Sequence, residues 1–383
     1  AQKPTACACS LHHNAMIIRT MTMRRCTLCR PLIVLIFYLT SLSGLVAQAA
    51  PPTPADTIPS AIMYRISGKG LTQPSYLFGA LHVLPHEFVT RSRAFMNIAS
   101  GVDRIVTEVD VRQLEAFNRK NEAASKALME QLLPHITLPA DSQMQVVSPE
   151  AFHLVDSLIH HYHLEHYICG ADSCWWRYDP GLIALPMQQM ALYMFKAMGY
   201  GRMGMSPESK SQVIDLYMGT LADSLHKEYA QLESLEYQKE MLPSLIMDFS
   251  KIKVDSTFIR NFRTNIASMG NVAERAKLLL VVLCALEDSC SDWDRLLTAY
   301  MAQDSRRAVE VMVKSNGEAI DQAAEKLQIS PRNKRWLKAM RPMMQQKSTL
   351  FVVGLFHLTG VPSDPGILET LHQEGYTIDA VRL

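Results

Sequence analysis

The stretches LFGALH at 77–82 and VVGLFH at 352–357 decide how this chain of 383 residues is organised. Each is an apolar run of strand length that ends in Gly-x-x-His, and no third copy lies between them. A tandem array would repeat such a unit at a short fixed period. The pattern therefore indicates two related units at opposite ends of one fold, and it raises the question whether His82 and His357 meet in space.

The surroundings of both motifs predict strand, helix and strand in that order. A helix-length stretch at 91–99 and the β-branched run DRIVTEVD at 103–110 follow the first motif. After the second motif, Pro365 lies early in a predicted helix, and the apolar run TIDAVRL closes the chain at 377–383. Between the two units, apolar residues recur at helical spacing. We predict a mixed α/β fold whose core sheet is formed by βα units from both chain ends, with a large helical insertion at about 111–347.

The composition is that of an ordinary globular protein, with 48% hydrophobic and 20% charged residues. The 38 basic residues balance 37 acidic residues, so no charge excess indicates a nucleic-acid partner or a disordered tail. The length would permit two domains, but a single domain with a long insertion is equally consistent. We predict one domain at 61–383, and the sequence does not indicate an oligomeric state.

The N-terminal region has the organisation of a secretory signal peptide. A short basic segment begins at Met23, an apolar stretch follows from 31 to 46, and an A-x-A sequence stands at 47–49. A membrane anchor would need about 20 apolar residues, and polar residues interrupt this run. We therefore predict that residues 1–49 are removed, that 50–60 form a linker, and that the protein is periplasmic or extracellular without a stable membrane span.

The predicted mature chain keeps an even number of cysteines, namely Cys169, Cys174, Cys284 and Cys290. In an exported protein an even number favours disulfides over thiol chemistry. Three pairings are possible, and the sequence does not choose among them. A site with four thiolate ligands is less favoured because neither close pair has C-x-x-C spacing.

Three residues at predicted strand ends form a candidate metal-ligand set. His82 and His357 follow the two motif strands, and Glu108 ends the strand after the first unit. In a mixed sheet, sites form beyond the carboxyl ends of parallel strands. Two imidazoles and one carboxylate leave a coordination position open for water, as catalytic zinc or manganese sites require. Either histidine alone would more often be an ordinary hydrogen-bonded residue, but the duplication favours a shared site.

A histidine-rich segment offers a competing candidate. Its spacings match neither the H-E-x-x-H metalloprotease pattern nor a zinc deaminase pattern, so a solvated helix face is favoured. The segment contains His153, His160, His161, His163 and His166.

The order of these motifs resembles the TraB/GumN family, which is related to the Tiki metalloproteases. The resemblance rests on YLFGALHV, IVTEVD and FVVGLFHLTG, and it extends to LESLEYQ at 232–238 and RNKRW at 332–336. It covers essentially the whole mature chain. The paired Gly-x-x-His with the intervening glutamate is its most specific part.

The resemblance implies a metal-dependent hydrolase, most readily a peptidase that acts on secreted or membrane-associated polypeptides. A divalent ion, Mn, Co or Zn, would be held by His82, Glu108 and His357, with Glu108 as ligand or base. Glu233 is the candidate for a second carboxylate, as ligand or general base, although a helix-surface glutamate is the simpler interpretation. Arg332 could stabilise an oxyanion or form a structural ion pair. The alternative is a protein that binds and sequesters a peptide without cleaving it.

The predicted export signal leads to a direct test. We expect the exported protein to begin at Ala50, because the A-x-A site precedes it, and to contain its cysteines as disulfides. Intact mass with and without reductant measures both. A retained N-terminal segment, or a mass that shows free thiols, would contradict the prediction.

Overall fold

The computed structural model describes ten stretches of the chain. They are residues 58–135, 137–138, 149–161, 177–181, 187–206, 209–242, 246, 248–316, 328–361 and 364–383. The predicted signal peptide, Cys169, Cys174 and the side chain of Cys284 lie outside the described part. Export and disulfide pairing therefore stay predictions.

The described residues form short strands and mostly longer helices. The strands are β1 (Met63–Ser67), β2 (Ser75–Ala80), β3 (Arg104–Thr107), β4 (Glu228–Gln231), β5 (Thr349–Gly354), β6 (Gly360–Val361), β7 (Asp364–Pro365) and β8 (Thr377–Val381). The helices are α1 (Glu87–Thr90), α2 (Arg93–Gly101), α3 (Val111–Leu132), α4 (Pro149–His161), α5 (Met187–Arg202), α6 (Ile214–Ser224), α7 (Leu235–Met241), α8 (Ser256–Ser268), α9 (Val272–Met301), α10 (Ser305–Asn316), α11 (Ile329–Gln346), α12 (Leu355–Thr359) and α13 (Ile367–Gln373).

A six-stranded sheet of order β4-β3-β5-β2-β1-β8 organises the fold. Strand β5 lies parallel to both β2 and β3, and β3 lies parallel to β4, whereas β1 lies antiparallel to β2 and β8. All six residues of β5 are buried, as expected of a strand covered on both faces. The predicted mixed α/β fold with a sheet from both chain ends is confirmed. One strand, β4, comes from within the predicted helical insertion.

The C-terminal unit differs in one detail from the prediction. Pro365 lies in the two-residue strand β7, paired with Gly360, and not inside the helix. Gly366, which has an extended backbone, is the N-cap of α13, so the helix begins at Ile367, two residues after Pro365. Its end is as predicted, since Gly375 adopts a positive φ of 91° directly after the C-cap.

The parallel strands bring the candidate residues to one edge of the sheet. Ala80, the last residue of β2, is paired with Gly354, and Thr107 of β3 is paired with Val352. His82 and Glu108 therefore follow strands that end beside the end of β5. This edge is where parallel sheets place their ligand sites.

The two motif glycines face opposite sides of the sheet. Because Gly354 is paired with Ala80, Gly79 is the residue whose missing side chain points the other way. A Cβ on Gly79 would lie 2.9 Å from Leu358 Cδ2 and 3.1 Å from Leu355 Cδ1. The first glycine therefore lets helix α12 pack directly on β2.

The described residues divide into two compact units. The sheet unit comprises the described parts of 41–125, 195–251 and 291–383, and the helical unit comprises those of 126–194 and 252–290. None of the described helices is both long and apolar enough to cross a membrane.

The helical unit has its own apolar packing and a buried ion pair. Leu132 and Ile266 are buried among partly buried apolar residues of α3 and α8. Asp179 Oδ1 accepts from Arg275 Nε at 2.7 Å, so the two buried charges are paired. On α4, His153 and His160 are exposed, as the helix-face interpretation requires.

The packing at Gly79 predicts a stability difference between two glycines. We expect Gly79→Ala to lower the free energy of unfolding by about 1–3 kcal/mol, because the new methyl group overpacks against buried Leu355 and Leu358. Gly101→Ala is the control, since nothing lies within 4 Å of its Cβ position. Urea unfolding midpoints compare the two. Equal midpoints would contradict close packing of α12 on β2.

Candidate functional site

His82 lies in the turn after β2 and has one nitrogen on each side of a half-exposed ring. Its Nδ1 lies 3.1 Å from Asp215 Oδ1, and 52% of its side chain is exposed. Its Nε2 lies 3.0 Å from the position that a Cβ on Gly354 would occupy. The imidazole therefore reaches from α6 to the end of β5.

Glu108 follows β3 directly and binds two different donors. Its Oε1 accepts from the backbone N–H of Gly354 at 2.6 Å. Its Oε2 accepts from Arg332 Nη2 at 2.7 Å. The backbone bond to Gly354 fixes the carboxylate against the end of the neighbouring strand.

His357 lies in the short helix α12 and is buried, with 4% of the residue exposed. Its Nδ1 lies 2.7 Å from Asn333 Oδ1, and its Nε2 lies 3.0 Å from Arg332 Nη1. Since the Asn333 oxygen accepts and Arg332 only donates, the ring carries its proton on Nδ1 and accepts at Nε2. His357 lies within a helix and not in a loop, because the chain turns into α12 immediately after β5.

Gly354 lies at the centre of the three predicted ligands. A Cβ at this position would lie 3.0 Å from His82 Nε2, 3.2 Å from Glu108 Oε1 and 3.7 Å from His357 Cδ2. The structure therefore brings together the three residues that the sequence predicted. The second motif glycine keeps the space between them open, which is a different role from that of Gly79.

Arg332 on α11 joins two carboxylates. Its Nη2 donates to Glu233 Oε1 at 2.7 Å as well as to Glu108, and its Nε donates to Glu233 Oε1 at 3.1 Å. Trp336 Nε1 donates to Glu233 Oε2 at 3.0 Å, and the guanidinium lies 4.6 Å from the Trp336 ring centroid. Glu233 has no exposed side-chain surface. This buried network holds Arg332 in one position beside the three ligands.

Glu233 lies before helix α7 and not within it, which corrects the sequence prediction. Ser234 is the N-cap, and its hydroxyl accepts from the backbone N–H of Tyr237 at 3.2 Å. The cap ends the extended segment after β4, and the helix starts at Leu235, two residues beyond Glu233. The carboxylate can therefore point inward toward α11.

The pKa values show how the charges of the site depend on one another. Burial raises the pKa of Glu108, but Arg332, the two histidines and the Gly354 N–H lower it to about 2. Burial lowers the pKa of His357 to about 3, and the neighbouring Arg332 contributes to this while Glu108 opposes it. Burial lowers the pKa of Arg332, and the two glutamates together raise it above its usual range. At neutral pH the cluster holds an anionic Glu108 and a neutral His357.

His82 differs from His357 in its charge. Burial lowers its pKa, but the carboxylates of Asp215 and Glu108 raise it to about 9. The attraction of the two carboxylates together outweighs the effect of burial. One imidazole of the pair is therefore neutral and buried, and the other is charged and half-exposed.

The donor set fits a divalent cation in its chemistry, although the side chains do not form a ligand sphere as they stand. Both imidazoles have an oxygen beside Nδ1, the arrangement found around metal-bound histidines. His82 directs Nε2 to the space beside Gly354, whereas His357 presents Cδ2 to it and Nε2 to Arg332. Glu108 supplies a carboxylate next to the glycine-lined space. In the described residues, however, no three His, Cys, Asp or Glu side chains have metal-binding geometry. Arg332 donates to both Glu108 and His357 Nε2, so a cation would have to replace those two bonds.

Several site residues were not predicted from the sequence. Asn333 and Trp336 belong to the quoted RNKRW segment, and the four-residue spacing of Trp336 from Arg332 on one helix was the available signal. Asp215 had no such signal. Tyr300 is completely buried and donates to the Gly79 carbonyl at 2.6 Å, which only the folded chain reveals.

The buried network predicts a large stability loss on neutralising Glu233. We expect Glu233→Gln to lower the free energy of unfolding by about 3 kcal/mol, because it removes one partner of a buried ion pair while Arg332 keeps Glu108. Chemical unfolding at pH 7 measures it. The control Glu236→Gln, at the exposed second residue of α7, should change stability by less than about 0.5 kcal/mol. A similar small effect for both variants would show that the pair contributes nothing.

Comparison with known proteins identifies the family of the chain. The sequence model of the TraB/PrgY/gumN family matches residues 62–380, which include the whole sheet except the last residue of β8 and all the site residues described above. No curated protein and no solved structure matches the chain significantly. The predicted resemblance to the TraB/GumN family is confirmed. The chain belongs to the TraB/PrgY/gumN family.

Proposed function

We propose that this protein is an exported metal-dependent hydrolase that cleaves peptides, with His82, Glu108 and His357 as the metal ligands. The observation that carries the proposal is the convergence of these three side chains around Gly354. Each imidazole has an oxygen beside Nδ1, which leaves Nε2 for a cation. Two neutral ligands and one carboxylate would leave much of the charge of a divalent ion uncompensated, which favours activation of water.

The protonation state of each proposed ligand determines what it must do to bind a cation. His357 already has its Nε2 lone pair available as an acceptor, and Glu108 is ionised at neutral pH. His82 would have to give up the proton that its pKa of about 9 lets it keep. A divalent ion, Mn, Co or Zn, supplies Lewis acidity that lowers the pKa of water toward about 7 and polarises a carbonyl.

Arg332 would stay beside the reacting atoms as a fixed positive charge. Its bonds to Glu233 would hold it if those to Glu108 and His357 were exchanged for a cation. A preorganised donor of this kind suits a developing oxyanion. Glu233 accepts from Arg332, Trp336 and Gln238, so the geometry favours a supporting role over that of general base.

The second candidate function is peptide binding without cleavage. The observation in its favour is that Arg332 already donates to Glu108 Oε2 and His357 Nε2. A protein whose own guanidinium already donates to both of these groups does not need a metal ion between them. The same site would then bind a peptide without cleaving it.

Metal loading of the purified protein separates the two functions. We expect one Mn²⁺, Co²⁺ or Zn²⁺ per chain by elemental analysis, and cleavage of some members of a peptide library by mass spectrometry. His82→Ala should abolish both with little change in the unfolding midpoint, because the ring is half-exposed. His372→Ala is the matched control, since this histidine is exposed on α13.

The outcomes favour different functions. Loss of metal and cleavage in His82→Ala but not in His372→Ala supports the hydrolase. If the wild-type protein binds peptides, releases them intact and takes up none of the three metals, the hydrolase proposal fails and the sequestering protein replaces it.

A further inference from the structure

Asp215 lies at the start of α6 with its carboxylate turned toward His82. It is the second residue of the helix, where the N-terminal end of the helix dipole stabilises a negative charge. Its Oδ1 lies 3.1 Å from His82 Nδ1, an ion-pair distance. This oxygen is buried and makes no hydrogen bond of full geometry within the described part of the chain. Among the described residues, the ion-pair contact of this oxygen is with His82.

The loop that carries His82 is fastened to the helix that carries Asp215. The Ile214 N–H donates to the Leu84 carbonyl at 3.1 Å, and the His86 N–H donates to the Gln212 carbonyl at 2.9 Å. Between these bonds, Pro85 forms a β-bridge with Val213. The backbone therefore sets the distance between the imidazole and the carboxylate before any ligand binds.

The contact with Asp215 decides which ring nitrogen faces the site. With Nδ1 beside Asp215, Nε2 lies 3.0 Å from the Cβ position of Gly354 and faces Glu108. A ring turned over by 180° would present carbon atoms to both sides. On the other imidazole, Asn333 Oδ1 holds Nδ1 at 2.7 Å in the same way.

We propose that Asp215 is a positioning residue that holds His82 with Nε2 toward Glu108 and His357, and thereby sets the affinity of the site for a divalent cation. This inference rests on the proposed function. The oxygens beside the two Nδ1 atoms differ in charge. The one beside His357 belongs to the neutral amide of Asn333, and the one beside His82 belongs to the carboxylate of Asp215. A carboxylate beside Nδ1 strengthens the metal bond of the imidazole that it orients, so Asp215 favours binding through Nε2 once the proton of His82 is displaced.

Zinc binding to three variants tests the proposal. Asp215→Asn removes the charge and keeps the shape, and it should weaken Zn²⁺ binding about 10-fold by isothermal titration. Asp215→Ala removes the acceptor as well and should weaken binding about 100-fold. Asp223→Asn, on the same helix with 68% of its side chain exposed, should bind zinc like the wild-type protein.

The ring tautomer of His82 gives a second readout that needs no metal. In ¹⁵N spectra recorded at a pH at which the ring of His82 is neutral, we expect its proton on Nδ1 in the wild-type protein. In Asp215→Ala the proton should shift toward Nε2. A purely structural role would change the unfolding midpoint and leave the tautomer and the relative affinity unchanged.

The failures of the two proposals can be told apart. If the wild-type protein binds no zinc, the proposed function fails, and the tautomer still decides whether Asp215 orients His82. If either folded Asp215 variant binds zinc as tightly as the wild-type protein, the inference is overturned. Asp215→Asn decides the matter should Asp215→Ala not fold.

Discussion

The guanidinium of Arg332 is the interaction on which the site depends. Glu233 has no exposed side-chain surface, and a carboxylate at that depth needs a positive partner to offset its loss of water. Arg332 provides it, and the same group reaches Glu108 and His357 Nε2. One cation thus ties α11, the segment after β4, the end of β3 and helix α12 into a single arrangement. Trp336 completes it by donating to Glu233 and covering one face of the guanidinium.

The two histidines share a motif but not an environment. His357 is enclosed by Arg332, Asn333 and Trp336, which keep it neutral with a defined tautomer. His82 stands half in solvent between two carboxylates and carries a proton at neutral pH. A pair with one neutral and one charged imidazole is asymmetric toward any ligand. A cation would meet a ready acceptor at His357 and would have to displace a proton at His82.

The sequence predicted the sheet and the three central residues because these follow from local patterns. Apolar runs of strand length and the rule that parallel strands end at one edge were enough to bring His82, Glu108 and His357 together. The N-cap that puts Glu233 before α7 is a local feature that the prediction passed over. Asp215 could not be predicted, because its partner lies 133 positions away and only the pairing of two loops brings them together.

The register of β2 against β5 couples two demands on strand length. Gly354 is paired with Ala80, so the two motif glycines differ by one step and serve opposite faces. A single inserted or deleted residue in β2 would turn Gly79 to the wrong face, and one in β5 would turn Gly354, because strand side chains alternate. The first change would disrupt the packing of helix α12 on β2, and the second would put a side chain into the space around the three ligands. We expect these two strands to tolerate substitutions far better than changes of length.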